Sequence, residues 1–394
     1  MQIGNDQHLT YCTNIHPGEK WHDTFAALQK YIPSIKKNIC PDKKFGIGLR
    51  LSNLAALDLH EKANIHQLTQ WMQQTNTYVF TINGFPYGGF HGAVVKDKVH
   101  SPDWLSHDRV LYTNILANIL AQISDTPEAG ISTSPISYKY WYPSNTLYEI
   151  KINAAQKLIE VALHLHNIYE STGKTIHLDI EPEPDGVLRN GAEFLDFYTN
   201  ILLPQAKAHL KRPDYDDIII THIRLCYDVC HIAVEYENHA QIIDAILRQG
   251  IYIGKIQISA ALKIILSNNI SDRQKQVEIL MPFQESTYLH QVVQRNHDGL
   301  MVYYPDMPNA MEQINNINAA EWRIHYHVPI FASAYGKLRS TQSDILEVLN
   351  INKKNLITNH LEVETYTWDV LPKDTTMSVE ECITNEMKWV INNM

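Results

Sequence analysis

The sequence predicts an α/β protein, a (β/α)8 TIM barrel. Three observations carry that expectation. Short, nearly continuous apolar or β-branched runs recur eight times, each followed by a polar cluster and then a helical pattern. Runs such as FGIGLRLS, YVFTING, IHLDIE and YIGKIQIS suit strands buried on both faces, as in a parallel sheet. The rival architecture, a doubly wound open sheet, would carry a glycine-rich phosphate loop after its first strand, but His16-Pro17-Gly18-Glu19 stands there.

Taken in order, the expected strands are residues 8–16, 45–52, 77–84, 130–136, 175–181, 222–228, 252–259 and 360–367. Between them lie helices. Trp21, Phe25, Leu28, Ile32 and Ile35 keep a spacing of three to four after the first strand. The clearest helix is expected over 147–171, because Ile150, Ala154, Leu158, Val161, Leu165 and Ile168 share one face and Gly173 follows as a stop. A last helix is expected over 379–392. Two connections are long, 84–130 and 260–358. The second is too long to be an unstructured loop, so it is expected to hold helices and a ninth strand-like run at 324–331. The whole chain, 1–394, reads as one barrel domain, with 260–358 as an excursion over its active face.

Composition narrows the function. The chain has 394 residues, 44% hydrophobic and 19% charged, so it can bury a large core. Lys plus Arg number 33 against 43 for Asp plus Glu, a net charge of -10, which argues against a nucleic-acid partner. No run approaches the 18 or so apolar residues of a spanning helix, so direct membrane insertion is not expected. The start lacks a basic-then-apolar leader, and five cysteines have no framework spacing, so a cytoplasmic protein with reduced thiols is expected. The 20 histidines stand out, and histidine is both proton shuttle and common metal ligand.

In such barrels the C-terminal strand ends line the active site. The polar residues expected there are His16 after strand 1, Arg50 at strand 2, Asn83 and Tyr87 at strand 3, and Ser132 and Ser134 at strand 4. Strand 5 offers Asp179, Glu181 and Glu183, strand 6 Asp228 and His231, and strand 7 Gln257. Strand 8 ends in Glu362, Glu364 and Asp369. Period two puts Asp179, Glu181 and Glu183 on one face. Three acids in a buried strand need a cation or donors. Glu181 is the favoured metal ligand, Asp179 lies a layer deeper, and Glu183 is past the rim. Asp228 and His231, three apart at a strand end, can reach one point and suit zinc, iron or manganese. Glu364 lies nearer the rim than Glu362. His325 and His327 share a face of an extended run and can both ligate. The competing readings are structural: a helix cap or arginine pair for Glu181, and a salt bridge to Arg50 for Glu364. His91 and His290 are looser candidates, and Phe85-Pro86-Tyr87-Gly88-Gly89 is a turn that offers an apolar wall.

An acid at strand 5, Asp-x-x-His at strand 6 and Glu at strand 8 resemble the xylose-isomerase-like superfamily of sugar-phosphate isomerases, epimerases and endonuclease IV. In the epimerase branch, the resemblance implies a divalent metal (zinc, manganese or iron) held by Glu181, Asp228, position 257 and Glu364. Position 257 is Gln here, where that branch has His. The resemblance also implies proton transfer by Glu181 and Glu364, with His231 on the substrate; His16, Asn83, Arg50 and Tyr87 are further expected substrate contacts. The endonuclease IV branch carries an Asp-x-His where this chain has His325-x-His327. Over nearly the whole chain, HLTYCTNIHPGE, FTINGFPYGGFH, HLDIEPEPDG, CYDVCH, KIQISAAL, WRIHYHVPIF and LEVETYTWDVLP resemble the EboE-type metabolite-traffic family. That implies a small-molecule metabolite as ligand and a membrane-protein partner from the same gene cluster. Three functions follow as expectations: a metal-dependent isomerase or epimerase of a small polyhydroxylated metabolite, a non-catalytic carrier for export, or a metal-dependent phosphoesterase.

Overall fold

The computed structural model describes residues 1–4, 7–91, 94–367 and 377–394. Asp369 lies outside the described residues. Eight parallel strands form the barrel: β1 (Gln7–Tyr11), β2 (Phe45–Arg50), β3 (Thr77–Asn83), β4 (Glu128–Thr133), β5 (Thr175–Ile180), β6 (Ile223–Asp228), β7 (Ile253–Ile258) and β8 (His360–Val363). Hydrogen bonding runs β1–β8–β7–β6–β5–β4–β3–β2. A parallel bridge between Cys12 and Gly48 joins β1 to β2 and closes the ring. At this seam a side chain stands in for the backbone ladder: the Thr10 hydroxyl donates to the Gly46 carbonyl and accepts from the Gly48 amide, both at 2.8 Å.

The helices follow their apolar stripes. Trp21–Ile39 buries Trp21, Phe25, Leu28, Ile32 and Ile35. Leu147–Thr172 buries the expected face and stops at Gly173, whose φ of 71° is the left-handed cap that glycine adopts freely. Val379–Asn393 begins with a reciprocal capping box between Ser378 and Glu381.

The structure corrects the expected strand ends. β1 stops at Tyr11 and β8 at Val363, well short of 16 and 367. The chain stays extended a little further, with the Cys12 amide bonded to Val363 O and the Glu364 amide to Ile258 O, and then turns into the active face.

The long excursion holds more than was expected. It contains a six-stranded antiparallel sheet, ordered Met301–Tyr304, Val292–Asn296, Ala319–His327, Ala261–Ile265, Leu338–Ser340 and Ala334–Tyr335. The run expected at 324–331 is the end of its longest strand, which stops at His327 ahead of Pro329. The sheet is tied to the barrel where Val328 bonds Ala260 O, and where His327 reaches the carbonyl of Glu364.

Most barrels of this kind fill their interior with branched apolar residues. Here the alternation places polar residues inside in successive layers: His177, Asp179 and Glu181 on β5 and its end, His360, Glu362 and Glu364 on β8 and its end. All six are buried. In the middle layer Lys255 pairs with Glu362 and donates to Ser132 at 3.0 Å. Glu362 fits because β2 has a glycine opposite it, for a Cβ on Gly48 would lie 2.0 Å from Glu362 Oε1. The five cysteines are all buried and free. Among the described residues no helix is long and apolar enough to cross a membrane.

Candidate metal centre and cavity

Glu181, Asp228 and Glu364 converge at the C-terminal mouth. One carboxylate oxygen from each lies within 4.8 Å of the others. Each acid is held by one of its oxygens. Asp228 caps the short helix Val229–Val234, its Oδ1 accepting from the His231 amide at 2.9 Å and from the Ser259 hydroxyl at 2.8 Å. Its Oδ2 is buried without a partner among the described residues. Glu364 Oε1 accepts from the side-chain amides of Asn14 (2.8 Å) and Asn83 (2.9 Å). The Cys226 thiol donates to Glu181 Oε2 at 3.5 Å.

Among the described residues no arginine or lysine pairs with the three acids. Lys255 sits one layer below and is committed to Glu362. Burial pushes the Glu181 carboxyl well above the ordinary range, and the charges of Glu364 and Asp228 push it further. Glu364 is raised too, by burial first and then by Asp228 and Glu362. Such a cluster calls for either a proton or a cation.

Gln257 supplies the strongest test of fit. It pairs in register with Asp228 on one side and Glu362 on the other. It is fully buried, and neither its Oε1 nor its Nε2 has a partner among the described residues. An orphaned buried amide costs roughly 1–3 kcal/mol. Three carboxylates and an amide oxygen form a donor set that fits a divalent cation.

The histidines of the excursion stand beside this set. His327 donates its Nδ1–H to the Glu364 carbonyl at 2.9 Å, leaving a buried Nε2 lone pair without a partner. Burial lowers its pKa to about 4, so the ring is neutral, as a metal ligand must be. His325 is held by Gln291 Oε1 at 2.9 Å, and its Nε2 is likewise buried and unpartnered. His231 bonds the Pro182 carbonyl through Nδ1 at 3.0 Å. Ligand atoms of Asp228, His231 and His327 fall within 4.8 Å of one another, as do those of Glu183, His231 and His325.

A cavity of about 590 Å³, counting its open mouth, lies over these groups. Glu181, Glu364, His231, His325 and Asn83 line it, and Phe85, Phe90 and Tyr366 form an apolar side.

Three expected substrate contacts are not brought to this cavity. Arg50 donates to the Gly18 and Gly88 carbonyls, stapling the loops after β1 and β3 together. It makes no pair with Glu364, whose partners are the two asparagines. His16 stacks on Tyr31 with centroids 4.1 Å apart and bonds the Tyr11 hydroxyl, and burial lowers its pKa to about 3. Asn14, not His16, is the residue of the β1 loop that reaches inward. Tyr87 packs edge-on against Tyr112 beside Arg109. Glu183 is not past the rim: it is buried, lines the cavity and pairs with His100 at 2.8 Å. His290 is satisfied by His325 O and Glu285, and His91 bonds Asn14 O. The residues missed from sequence are Asn14, His100, Gln291 and Tyr366: Asn14 and Tyr366 fall inside the expected strands but lie beyond the real ends of β1 and β8, and His100 and Gln291 belong to the two long connections.

No protein-family model matches the chain, and no curated protein matches it in sequence. Solved structures similar in fold include the IolI protein with a binding zinc atom, at TM-score 0.48 and 10% identity, covering 98% of this chain and 97% of that one. An L-ribulose 3-epimerase aligns at TM-score 0.49 and 10% identity over 98% and 93% of the two chains. An AP endonuclease, family 2, from Brucella melitensis aligns at 0.38 and 8% over 64% and 78%. The strand order of this chain is that of a (β/α)8 TIM barrel.

Proposed function

We propose that this protein is a metal-dependent isomerase or epimerase acting on a small polyhydroxylated metabolite. The observation that carries the reading is the convergence of Glu181, Asp228 and Glu364, with the buried, unpartnered amide of Gln257 on the neighbouring strand in register with Asp228. These four residues would hold the ion. Their oxygen-only donor set favours manganese, and recruitment of His327 would favour zinc or iron. When bound, the ion supplies a Lewis acid that holds substrate oxygens and stabilises charge developing beside a carbonyl.

The chain's own groups do the rest. Glu181 and Glu364 come from different strand ends, with β6 and β7 between them, so one would remove a proton next to the carbonyl and the other return it. Asn14 and Asn83 fix Glu364 Oε1, leaving its second oxygen for the reaction. His231, its Nδ1 committed to Pro182 O, offers Nε2 to a substrate hydroxyl. Phe85, Phe90 and Tyr366 exclude water from one side of the cavity. The test is solvent exchange. Manganese-loaded protein in D2O, given a panel of ketoses and polyols, should place deuterium at a carbon, and Glu181→Gln should slow this by about 10²-fold or more. Exchange that survives Glu181→Gln intact would sink the assignment.

A second reading, a metal-dependent phosphoesterase, is favoured by the adjoining Asp228, His231 and His327 set. It requires more than one ion at this mouth. The finer role, an EboE-type protein that handles a secondary-metabolite precursor and passes it to a membrane-protein partner, rests on the sequence stretches quoted above. A purely carrier version of that role predicts metabolite binding with no exchange of substrate hydrogen.

A further inference from the structure

The opposite end of the barrel carries a second set of donors that the proposed reaction does not use. His177 on β5, His360 at the start of β8 and Glu128 at the start of β4 bring one ligand atom each within 4.8 Å of one another. Both histidines are fully buried. His177 Nδ1 lies 2.6 Å from Asp179 Oδ1, a contact that fixes the ring. With the proton on Nδ1, Nε2 presents a lone pair, and it has no hydrogen-bond partner among the described residues. That lone pair faces Glu128 Oε1 at 3.7 Å. His360 Nδ1 is buried and unpartnered as well.

Two buried ring nitrogens and a carboxylate thus crowd one another without a hydrogen bond among them. The competing arrangement puts the proton on Asp179 and turns Nε2–H toward Glu128, and 3.7 Å is too long for that hydrogen bond. A carboxylate behind an imidazole whose other nitrogen is free is the pattern that orients metal-ligating histidines. The neighbouring strands make room for it. A Cβ on Gly254 would lie 1.9 Å from Asp179 Oδ1, and one on Gly130 would lie 2.3 Å from the His177 ring. Arg224 grips the Glu128 carboxylate from the side, at 2.9 Å, and sets its position at the mouth. Glu128 is itself half-exposed and opens the set to solvent, and His8, which lines a neighbouring surface pocket, is in ring contact with His360.

We propose that His177, His360 and Glu128 form a divalent-cation site at the N-terminal mouth of the barrel. Two imidazoles and one carboxylate suit zinc, with a water as fourth ligand. An ion there would tie β4, β5 and β8 together at the end remote from the reaction, so its role is structural.

The experiment is zinc stoichiometry by plasma mass spectrometry, on protein stripped with chelator, reloaded with zinc and dialysed. Glu128→Gln, at the half-exposed mouth, should remove about one equivalent from wild type and also from Asp228→Ala. His360→Gln should do the same. Equal zinc with and without Glu128→Gln in both backgrounds would overturn the site. If the centre at Asp228 binds nothing, wild type and Asp228→Ala hold equal zinc, and the loss on Glu128→Gln still reports the second site. Cobalt loaded in place of zinc gives an absorption band that Glu128→Gln should abolish in Asp228→Ala. Circular dichroism separates loss of ligand from loss of fold.

Discussion

Removing a charge from the acid triad should stabilise the metal-free protein and weaken the metal-loaded one. Glu364→Gln is the variant of choice, because a glutamine Oε1 can still accept from Asn14 and Asn83. Two unit charges at the 4.8 Å that bounds the cluster repel by about 3 kcal/mol at an effective dielectric near 20. Glu364 has two such neighbours, giving roughly 7 kcal/mol. Holding one carboxyl protonated at pH 8 costs only about 5 kcal/mol, since the ordinary glutamate pKa is about 4.3. Proton uptake therefore wins and caps the strain near 5 kcal/mol. Weaker hydrogen bonds from the two asparagines take back about 2 kcal/mol. Metal-free Glu364→Gln should thus be more stable than wild type by about 3 kcal/mol at pH 8. At pH 5 the proton costs only about 1 kcal/mol to hold, and the advantage should vanish. Urea unfolding with chelator present reads both. With saturating manganese or zinc the sign should reverse, because the variant has lost a charged ligand. A Glu364→Gln protein that is less stable than wild type without metal at pH 8, or equally affected with and without metal, would refute the reasoning.

Three further outcomes are expected. Glu181→Gln should keep the fold, by circular dichroism, while abolishing the deuterium exchange described above. Gly48→Ala should cost about 3 kcal/mol or more in urea unfolding, because its methyl would sit 2.0 Å from Glu362 Oε1 and 2.6 Å from the Tyr11 carbonyl and would break the buried Lys255–Glu362 pair. Glu386 is fully buried, accepts from Thr365 and the Ile330 amide, and has its pKa pushed up by burial to about 7. A raised carboxyl pKa adds stability below the ordinary value of 4.5 that is lost as pH rises through 7, in all about 3 kcal/mol. Glu386→Gln should flatten the stability profile between pH 5 and 8 and leave the variant more stable at the alkaline end.

The barrel was legible because its strands are short, apolar and parallel, so each announces itself locally. The acids at their ends were legible for a related reason: period two carries the inward face past the last ladder bond, which placed Glu181, Asp228, Gln257 and Glu364 correctly in the interior. That rule failed where the chain had already left the strand. His16, beyond the end of β1, stacks on Tyr31, while Asn14, on the same period as His16, and His100, in the connection after β3, face the cavity; Arg50, still the last residue of β2, turns to the carbonyls of Gly18 and Gly88 instead. The excursion sheet was largely invisible because its pairings are distant in sequence: Ala261–Ile265 pairs with Ala319–His327, across more than fifty residues. The buried His177 and His360 were passed over because attention to strand ends favours one mouth of the barrel, and these lie at the other.

The most direct test of the central claim is anomalous diffraction from crystals soaked in manganese or zinc. A peak bounded by Glu181, Asp228, Gln257 and Glu364, absent in Asp228→Ala, is the result expected. A wild-type crystal with no anomalous peak among those four residues at saturating metal would contradict the account.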